Sequence, residues 1–189
     1  IRGTLDWNTK NKISVRHTQA LTFIRIRANM LSNQAREDYH MKYIAYGSNM
    51  VEEQMAYRCP NAKLIGTGQL PNHRLEFYLH ATVERSRARG ASVPVAVWEI
   101  DAEDEHSLDH YEGFPKYYTK CKRTVLMDDG SRIEGMVYIM NMIRPLIPHA
   151  SYYNGIHAAY QKLGLSSEIK RVLEPALQRS IERDRRRHR

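Results

Sequence analysis

Two segments with β-strand character, 117–127 and 133–140, flank the turn Asp128-Asp129-Gly130, and this arrangement constrains the fold more than any other part of the chain. An Asp-Gly pair between apolar runs is typical of a hairpin, because glycine readily adopts the positive φ of a tight turn. We therefore expect two long antiparallel strands at this point of the chain.

Further short segments with strand patterns lie at 42–46, 64–70, 74–82 and 93–100, each bounded by turn residues. Helices are expected at 50–57, 101–111, 152–163 and 167–180. Gly164 should end the third helix, and Pro175 should kink or interrupt the fourth. A regular alternation of strand and helix is absent, which favours the α+β class over a doubly wound nucleotide-binding fold. Gly66 and Gly68 lie inside a strand pattern and indicate a β-bulge rather than a phosphate-binding loop.

The net charge of +8 over 189 residues is unevenly distributed. Residues 1–40 carry +4, residues 41–169 carry −1, and residues 170–189 carry +5. Because the excess lies at the two ends, solvated basic segments explain it better than a nucleic-acid-binding body. A nucleic-acid partner is therefore unlikely, although contact through the basic ends stays an alternative. Membrane insertion is not expected, since no segment approaches the roughly 18 apolar residues of a membrane span.

These features divide the chain into three predicted parts. Residues 1–40 form a basic N-terminal extension or leader, within which 15–31 has the spacing of a loosely attached helix. Residues 41–175 form the folded domain, and residues 176–189 form a basic helical tail. Cys59 and Cys121 are too few for a disulfide framework or, by themselves, a zinc site, and as reduced thiols they favour a cytoplasmic protein. The sequence does not indicate an oligomeric state.

A first candidate site lies where the first strand meets the first helix. The glycine in this segment permits a sharp turn, and amides at a helix start can hold a carboxylate or an oxyanion. Asn49 and Glu52 also have the spacing of a helix capping box, and a capped helix start without a ligand is the alternative interpretation. The residues of this segment are Tyr46, Gly47, Ser48, Asn49 and Met50.

A second candidate is Glu112, at the end of an acidic helix and just before Gly113. The helix dipole disfavours a negative charge there. If the side chain is buried, its pKa rises and it becomes a general base or acid near neutral pH. The alternative is a solvated glutamate at a helix end.

Together these segments resemble the γ-glutamylcyclotransferase superfamily, including its plant-type avirulence-induced-gene relatives. The resemblance covers roughly residues 41–175 and depends on the order and spacing of several short motifs. The motifs are Tyr46-Gly47-Ser48-Asn49-Met50, Cys59-Pro60-Asn61-Ala62, Arg74-Leu75-Glu76-Phe77, Ala96-Val97-Trp98-Glu99-Ile100 and Leu108-Asp109…Glu112-Gly113…Tyr118.

The resemblance implies a small mixed, mostly antiparallel β-barrel flanked by helices, with no metal and no cofactor. It implies a small-molecule partner, a γ-glutamyl amide, whose α-amine attacks its own γ-carbonyl to give 5-oxoproline and a free amine. Glu112 would be the base, the segment 47–50 would bind the substrate carboxylate and the oxyanion, and Tyr46 and Tyr118 would position the glutamyl group. A catalytically silent member that binds a small metabolite or a protein is the alternative.

Overall fold

A computed structural model describes residues 40–141 and 146–188, together with the isolated helical residues Arg25 and Arg27, whose side chains are exposed. The chain divides into two units, residues 1–39 and 40–189. Most of the predicted N-terminal extension and its helix therefore lies outside the described residues. The account that follows concerns the second unit.

Five strands of this unit close into a barrel in the order β1, β5, β2, β6, β7. All neighbouring pairs are antiparallel except β1 and β7, which run parallel where Tyr43 lies opposite Met136 and so close the barrel. The predicted small mixed barrel flanked by helices is confirmed. The barrel strands are β1 (Met41–Ala45), β2 (Lys63–Pro71), β5 (Ser92–Ile100), β6 (Tyr118–Met127) and β7 (Arg132–Met140).

Strand β5 lies between β1 and β2 and is buried along almost its whole length. Its segment Val93–Trp98 shows no alternation of apolar and polar residues, as expected for a strand covered on both faces. On the other side, β2 carries the expected β-bulge, since its register to β5 shifts between Leu64 and Gly66. Because β5 has a strand on either side of it, residues 93–100 lie in the middle of the core.

The segment 74–82, predicted as one strand, is instead a hairpin of β3 (His73–Tyr78) and β4 (His80–Arg85) that forms a separate two-stranded sheet. The chain reverses at Leu79, which has a φ of 76° and donates its amide to the carbonyl of Leu146 at 2.9 Å. The single-strand prediction is wrong because no glycine, proline or asparagine marks this turn in the sequence.

The α-helices of the unit range from three to fourteen residues in length. A 3-10 turn covers Ser48–Met50, and the C-terminal helical region contains a π-helical segment, Ile169–Leu173. Among the described residues, no helix is long and apolar enough to cross a membrane. The α-helices are α1 (Glu52–Arg58), α2 (Ala102–Glu112), α3 (Ala150–Lys162), α4 (Ser166–Glu168) and α5 (Glu174–Arg187).

Helix α5 packs on strand β3 through a buried carboxylate, Glu76, which is fully inaccessible to solvent. Arg179 Nε and Arg183 Nη1 each lie 2.7 Å from a Glu76 oxygen, and Arg74 Nε lies at 3.0 Å. Three guanidinium groups therefore offset the cost of burying one carboxylate. Arg185, Arg186 and Arg187 are exposed at the helix end.

Regular α-helix is interrupted just before Pro175, in line with the prediction that this proline kinks or interrupts the helix. The π-helical segment Ile169–Leu173 ends there, and Pro175 lies in the first turn of α5. Proline lacks the amide hydrogen that a regular helix would use at this position. Helix α5 continues without a break across residue 176, and the predicted division there into a domain and a tail stays a prediction.

A single methyl group at Gly68 tests how tightly β2 packs against β6. A Cβ at this position would lie 2.6 Å from the Leu126 carbonyl oxygen and 2.9 Å from Met127 Cα, both backbone atoms that cannot move independently. We expect Gly68→Ala to lower the free energy of unfolding by about 1–3 kcal/mol, measured by urea denaturation.

Gly155→Ala is the matched control, because a Cβ on this helix α3 glycine meets nothing within 4 Å. It should raise the free energy of unfolding by about 0.5–1 kcal/mol. Equal effects of the two substitutions would contradict the close contact at Gly68.

Candidate active site

The loop after β1 contains Asn49, whose side chain is almost fully buried at 3% exposure. The predicted capping box is wrong: Val51 occupies the cap position of α1, no side chain caps that helix, and Glu52 is exposed. The reason is that the Asn49 side chain forms hydrogen bonds with other side chains and not with the amides at the helix start. It belongs to the site rather than to the helix start.

The side-chain amide of Asn49 joins three other groups. Its Nδ2 donates to the Tyr43 hydroxyl at 2.7 Å and to Glu112 Oε1 at 2.9 Å, and its Oδ1 accepts from Arg58 Nη1. Because a guanidinium only donates, Arg58 fixes which end of the amide faces Glu112. Both amide hydrogens of Asn49 are then used, so the side chain holds the glutamate in place and has no hydrogen left for a substrate carboxylate.

Helix α2 delivers Glu112 to this amide. The Asp101 side chain caps the helix start by accepting from the amides of Glu103 and Asp104 at 2.9 and 2.8 Å. At the other end Gly113 ends the helix in the left-handed region, with a φ of 62°. Glu112 is therefore the last residue of a helix whose two ends are defined by its own sequence, as expected.

The helix is also fixed to the barrel one turn before the glutamate. Asp109 Oδ1 accepts from the Tyr138 hydroxyl of β7 at 2.6 Å, and Asp109 Oδ2 lies 2.8 Å from Lys120 Nζ of β6. Strands β6 and β7 thus hold the C-terminal turn of α2 in place. The position of Glu112 is set by the barrel rather than by the following loop.

Burial raises the pKa of Glu112 to about 7, while the nearby Arg58 charge and the Asn49 hydrogen bond act in the opposite direction. The sequence predicts a raised pKa for a buried carboxylate at this helix end, and desolvation is the dominant cause. A carboxyl group with this pKa can accept and release a proton near neutral pH.

Glu112 faces a cavity of about 290 Å³ that is lined mainly by aromatic hydroxyl groups. Six of the chain's twelve tyrosines line it, together with parts of the 47–49 loop, His80 and Ala81. The tyrosines are Tyr43, Tyr46, Tyr111, Tyr118, Tyr138 and Tyr152.

Several of these hydroxyls are held by the protein backbone. The Tyr46 hydroxyl donates to the carbonyl of Tyr138 at 2.7 Å, and the Tyr118 hydroxyl donates to that of Ala81 at 3.3 Å. The Tyr152 hydroxyl accepts from the Ala81 amide at 3.1 Å. The rings therefore form rigid walls around the glutamate.

Three of the cavity tyrosines, Tyr43, Tyr46 and Tyr152, have raised pKa values and remain protonated at physiological pH. Burial, followed by the negative charge of Glu112, raises the pKa of Tyr43 and of Tyr46 well above the usual value of 10. Burial likewise raises the pKa of Tyr152 to about 12. Glu112, unlike these three tyrosines, can therefore exchange protons near pH 7.

The structure brings six of the seven predicted site residues to one cavity and excludes the seventh. Met50 does not line the cavity: its side chain is fully buried in the core, and its amide donates to the Gly47 carbonyl at 3.0 Å. The six that line the cavity are Tyr46, Gly47, Ser48, Asn49, Glu112 and Tyr118.

Sequence reasoning missed Arg58 and six of the residues that line the cavity. Arg58 lies at the end of α1, donates to Asn49 and places its guanidinium 3.5 Å from the ring centre of Tyr111. A compositional signal was present, since twelve tyrosines against three phenylalanines indicates a use for the hydroxyl groups. The six lining residues are Tyr43, His80, Ala81, Tyr111, Tyr138 and Tyr152.

No group of three or more His, Cys, Asp or Glu side chains within 40–141 and 146–188 is arranged to hold a metal ion. Cys59 and Cys121 are free thiols, and burial raises the pKa of Cys59 to about 12. A thiol with this pKa is a poor nucleophile at neutral pH. Neither cysteine lines the cavity.

Comparison with known proteins identifies the fold and the family. Residues 43–154 match the family described as gamma-glutamyl cyclotransferase, AIG2-like. The gamma-glutamylcyclotransferases of Bos taurus and Homo sapiens are 28% and 27% identical over 144 and 145 residues, which is 69% and 70% of this chain and 76% of each relative. A solved structure described as a gamma-glutamyl cyclotransferase superposes with a TM-score of 0.66 at 25% identity, over 72% of this chain and 87% of the other. The chain belongs to the gamma-glutamyl cyclotransferase, AIG2-like family.

Proposed function

We propose that this protein converts a γ-glutamyl amide into 5-oxoproline and a free amine, with Glu112 as the proton-transferring group. The observation that carries the proposal is the Glu112 carboxyl, with a pKa of about 7, held by Asn49 at a tyrosine-lined cavity. The family match and the curated relatives named gamma-glutamylcyclotransferase support the same reaction class.

The reaction needs one proton carrier and no nucleophile from the protein. Glu112 removes a proton from the substrate's α-ammonium group, and the freed amine nitrogen attacks the γ-carbonyl carbon to form a five-membered ring. The bond between that carbon and the leaving nitrogen then breaks as the proton on Glu112 passes to that nitrogen. The ionised Glu112 next takes the second proton from the ring nitrogen and releases it to the departing amine, which leaves as an ammonium ion beside 5-oxoproline. A carboxyl with a pKa near neutral suits both transfers, because neither direction is strongly uphill.

The remaining site groups bind and orient the substrate. The amides of Met50 and Val51 donate within the 3-10 turn, to Gly47 and Ser48 carbonyls at 3.0 Å each. We assign the binding of the substrate carboxylate and of the developing oxyanion to the backbone amides that precede Met50 in the loop, those of Gly47, Ser48 and Asn49. The rings of Tyr46 and Tyr118 confine the glutamyl chain, and holding it in a ring-closing pose supplies several kcal/mol of the rate enhancement, on the order of 7 kcal/mol or more in the best cases.

Replacing Glu112 by glutamine removes the proton carrier and keeps the shape and the Asn49 contact. We expect Glu112→Gln to reduce 5-oxoproline release by about 10²–10⁴-fold, measured by chromatography with a γ-glutamyl dipeptide. Glu103→Gln, which removes the same charge from an exposed position of the same helix, should retain full activity.

The same variant has an expected effect on stability that depends on pH. Folding raises the pKa of Glu112 from its usual 4.5 to about 7, so the ionised form opposes folding above that range. The neutral glutamine should therefore make the fold at least as stable as the wild type at pH 8. Normal turnover by Glu112→Gln would show that Glu112 is not the base. An unfolded variant would contradict the expected effect on stability.

Arg58 offers a test through the pH profile. Its positive charge lowers the pKa of Glu112, so Arg58→Met should raise that pKa and move the acidic limb of kcat/KM to higher pH. Activity at pH 6 should fall more than activity at pH 9. Arg58→Lys keeps the charge and should keep the limb closer to that of the wild type.

An equal loss of activity at every pH, with an unmoved limb, would show that Arg58 acts through its contacts with Asn49 and Tyr111 rather than through its charge on Glu112. Circular dichroism of each variant distinguishes a local change at the site from unfolding.

A further inference from the structure

A second cavity of about 530 Å³ lies next to the tyrosine-lined cavity. The two cavities share four lining residues: His80, Tyr111, Glu112 and Tyr118. Glu112 therefore lies at the boundary between two spaces. The first cavity belongs to the proposed glutamyl site, and the second has no role in the reaction as described so far.

The geometry of the cyclisation requires a space of this kind. The scissile bond joins the γ-carbonyl carbon to the leaving nitrogen, and the proton carrier must reach both the α-amine and that nitrogen. A cavity of about 290 Å³ is at the lower limit for small-molecule sites of roughly 300–1,000 Å³. It accommodates a glutamyl group and leaves little room for a large second half of the substrate.

The second cavity has an apolar rim. Leu79 and Tyr117 both line it and are 42% and 49% exposed. Met140 lines it as well. A leaving group with a large apolar or aromatic side chain would remove this surface from water.

The Tyr117 ring and the Leu79 main chain are both held by contacts within the protein. The ring of Tyr117 lies against Gly113, where an added Cβ would be only 2.6 Å from Tyr117 Cδ2. The Leu79 main chain is held at the tip of the β3–β4 hairpin by the hydrogen bond of its amide to the Leu146 carbonyl. The Tyr117 ring therefore needs little ordering when a ligand binds, which favours affinity.

The charge of the second cavity comes from two groups of opposite sign. Glu112 is the shared proton carrier, and Lys116 is the cation. Lys116 Nζ lies 5.2 Å from the ring centre of Tyr117 and forms no ion pair with any residue in the described part of the chain. A carboxylate on the leaving group would pair with this ammonium, whereas a second amino group would be repelled by it.

We propose that the second cavity binds the leaving half of the substrate and selects an amino acid with a large apolar or aromatic side chain, whose carboxylate pairs with Lys116. This inference rests on the proposed cyclotransferase activity and adds the substrate class. Lys116 and Leu79 are then specificity-determining residues rather than catalytic ones.

The test compares three substrates that share the γ-glutamyl group. γ-Glutamyl-phenylalanine carries both a ring and a carboxylate, γ-glutamyl-phenethylamine carries the ring alone, and γ-glutamyl-glycine carries the carboxylate alone. Wild-type kcat/KM, measured from 5-oxoproline release, should be highest for γ-glutamyl-phenylalanine. A preference for γ-glutamyl-glycine or for γ-glutamyl-putrescine, a cationic competitor, would overturn the inference while leaving the cyclotransferase activity established.

The residue assignments are tested by ratios of kcat/KM. Lys116→Met should reduce the preference for γ-glutamyl-phenylalanine over γ-glutamyl-phenethylamine about fivefold, mainly through KM, as expected for a partly exposed ion pair. Lys122→Met removes the same charge from a residue that is 81% exposed and does not line the cavity, so the ratio should not change. An unchanged ratio in Lys116→Met, or an equal change in both variants, would refute the role of Lys116.

Leu79→Asn tests the apolar rim without straining the backbone, because asparagine tolerates the positive φ at this position. It should reduce the preference for γ-glutamyl-phenylalanine over γ-glutamyl-glycine severalfold, about 10-fold at most. An unchanged preference would refute the apolar rim. If the folded wild type releases no 5-oxoproline from any of the substrates, the proposed function fails, and this inference fails with it.

Discussion

The cost of holding the Glu112 carboxylate out of water is the constraint around which the site is arranged. Burial alone favours the neutral acid, and a nearby cation favours the ion. The Asn49 side chain lies between the cation and the carboxyl group, since it accepts a hydrogen bond from Arg58 and donates one to Glu112. The charge therefore acts on the glutamate without direct contact. The resulting pKa of about 7 depends on all three side chains together.

The barrel supplies the rigidity that this balance needs. Asn49 follows the first strand, Arg58 ends the first helix and Glu112 ends the second, so their contacts depend on the packing of separate elements. Asp109 ties the second helix to β6 and β7 through Lys120 and Tyr138. The tyrosine hydroxyls bind mostly to backbone atoms of neighbouring elements. A shift of any of these elements would change both the distance to Asn49 and the exposure of the carboxylate.

Features set by local sequence were predictable, and features set by distant contacts were not. The Asp128-Asp129-Gly130 hairpin and the end of the second helix at Glu112 depend on turn and cap residues that lie next to one another in the chain. The reversal at Leu79 depends instead on a hydrogen bond to Leu146. Asn49 had the spacing of a cap but binds Glu112, and Arg58 gives no local sign that its partner is Asn49.

The barrel closes by a parallel contact between its first strand and its last, at Tyr43 and Met136. Loop-closure entropy opposes contacts of such long sequence separation, so they form late unless other contacts precede them. Tyr43 is also the residue whose hydroxyl accepts from Asn49. Closure of the barrel by β7 therefore also brings Tyr138 to the wall of the proton-transferring site, and helix α3 adds Tyr152 later in the chain. A nascent chain that has emerged only as far as β6 has the loop and the glutamate but lacks both of these tyrosines of the enclosure.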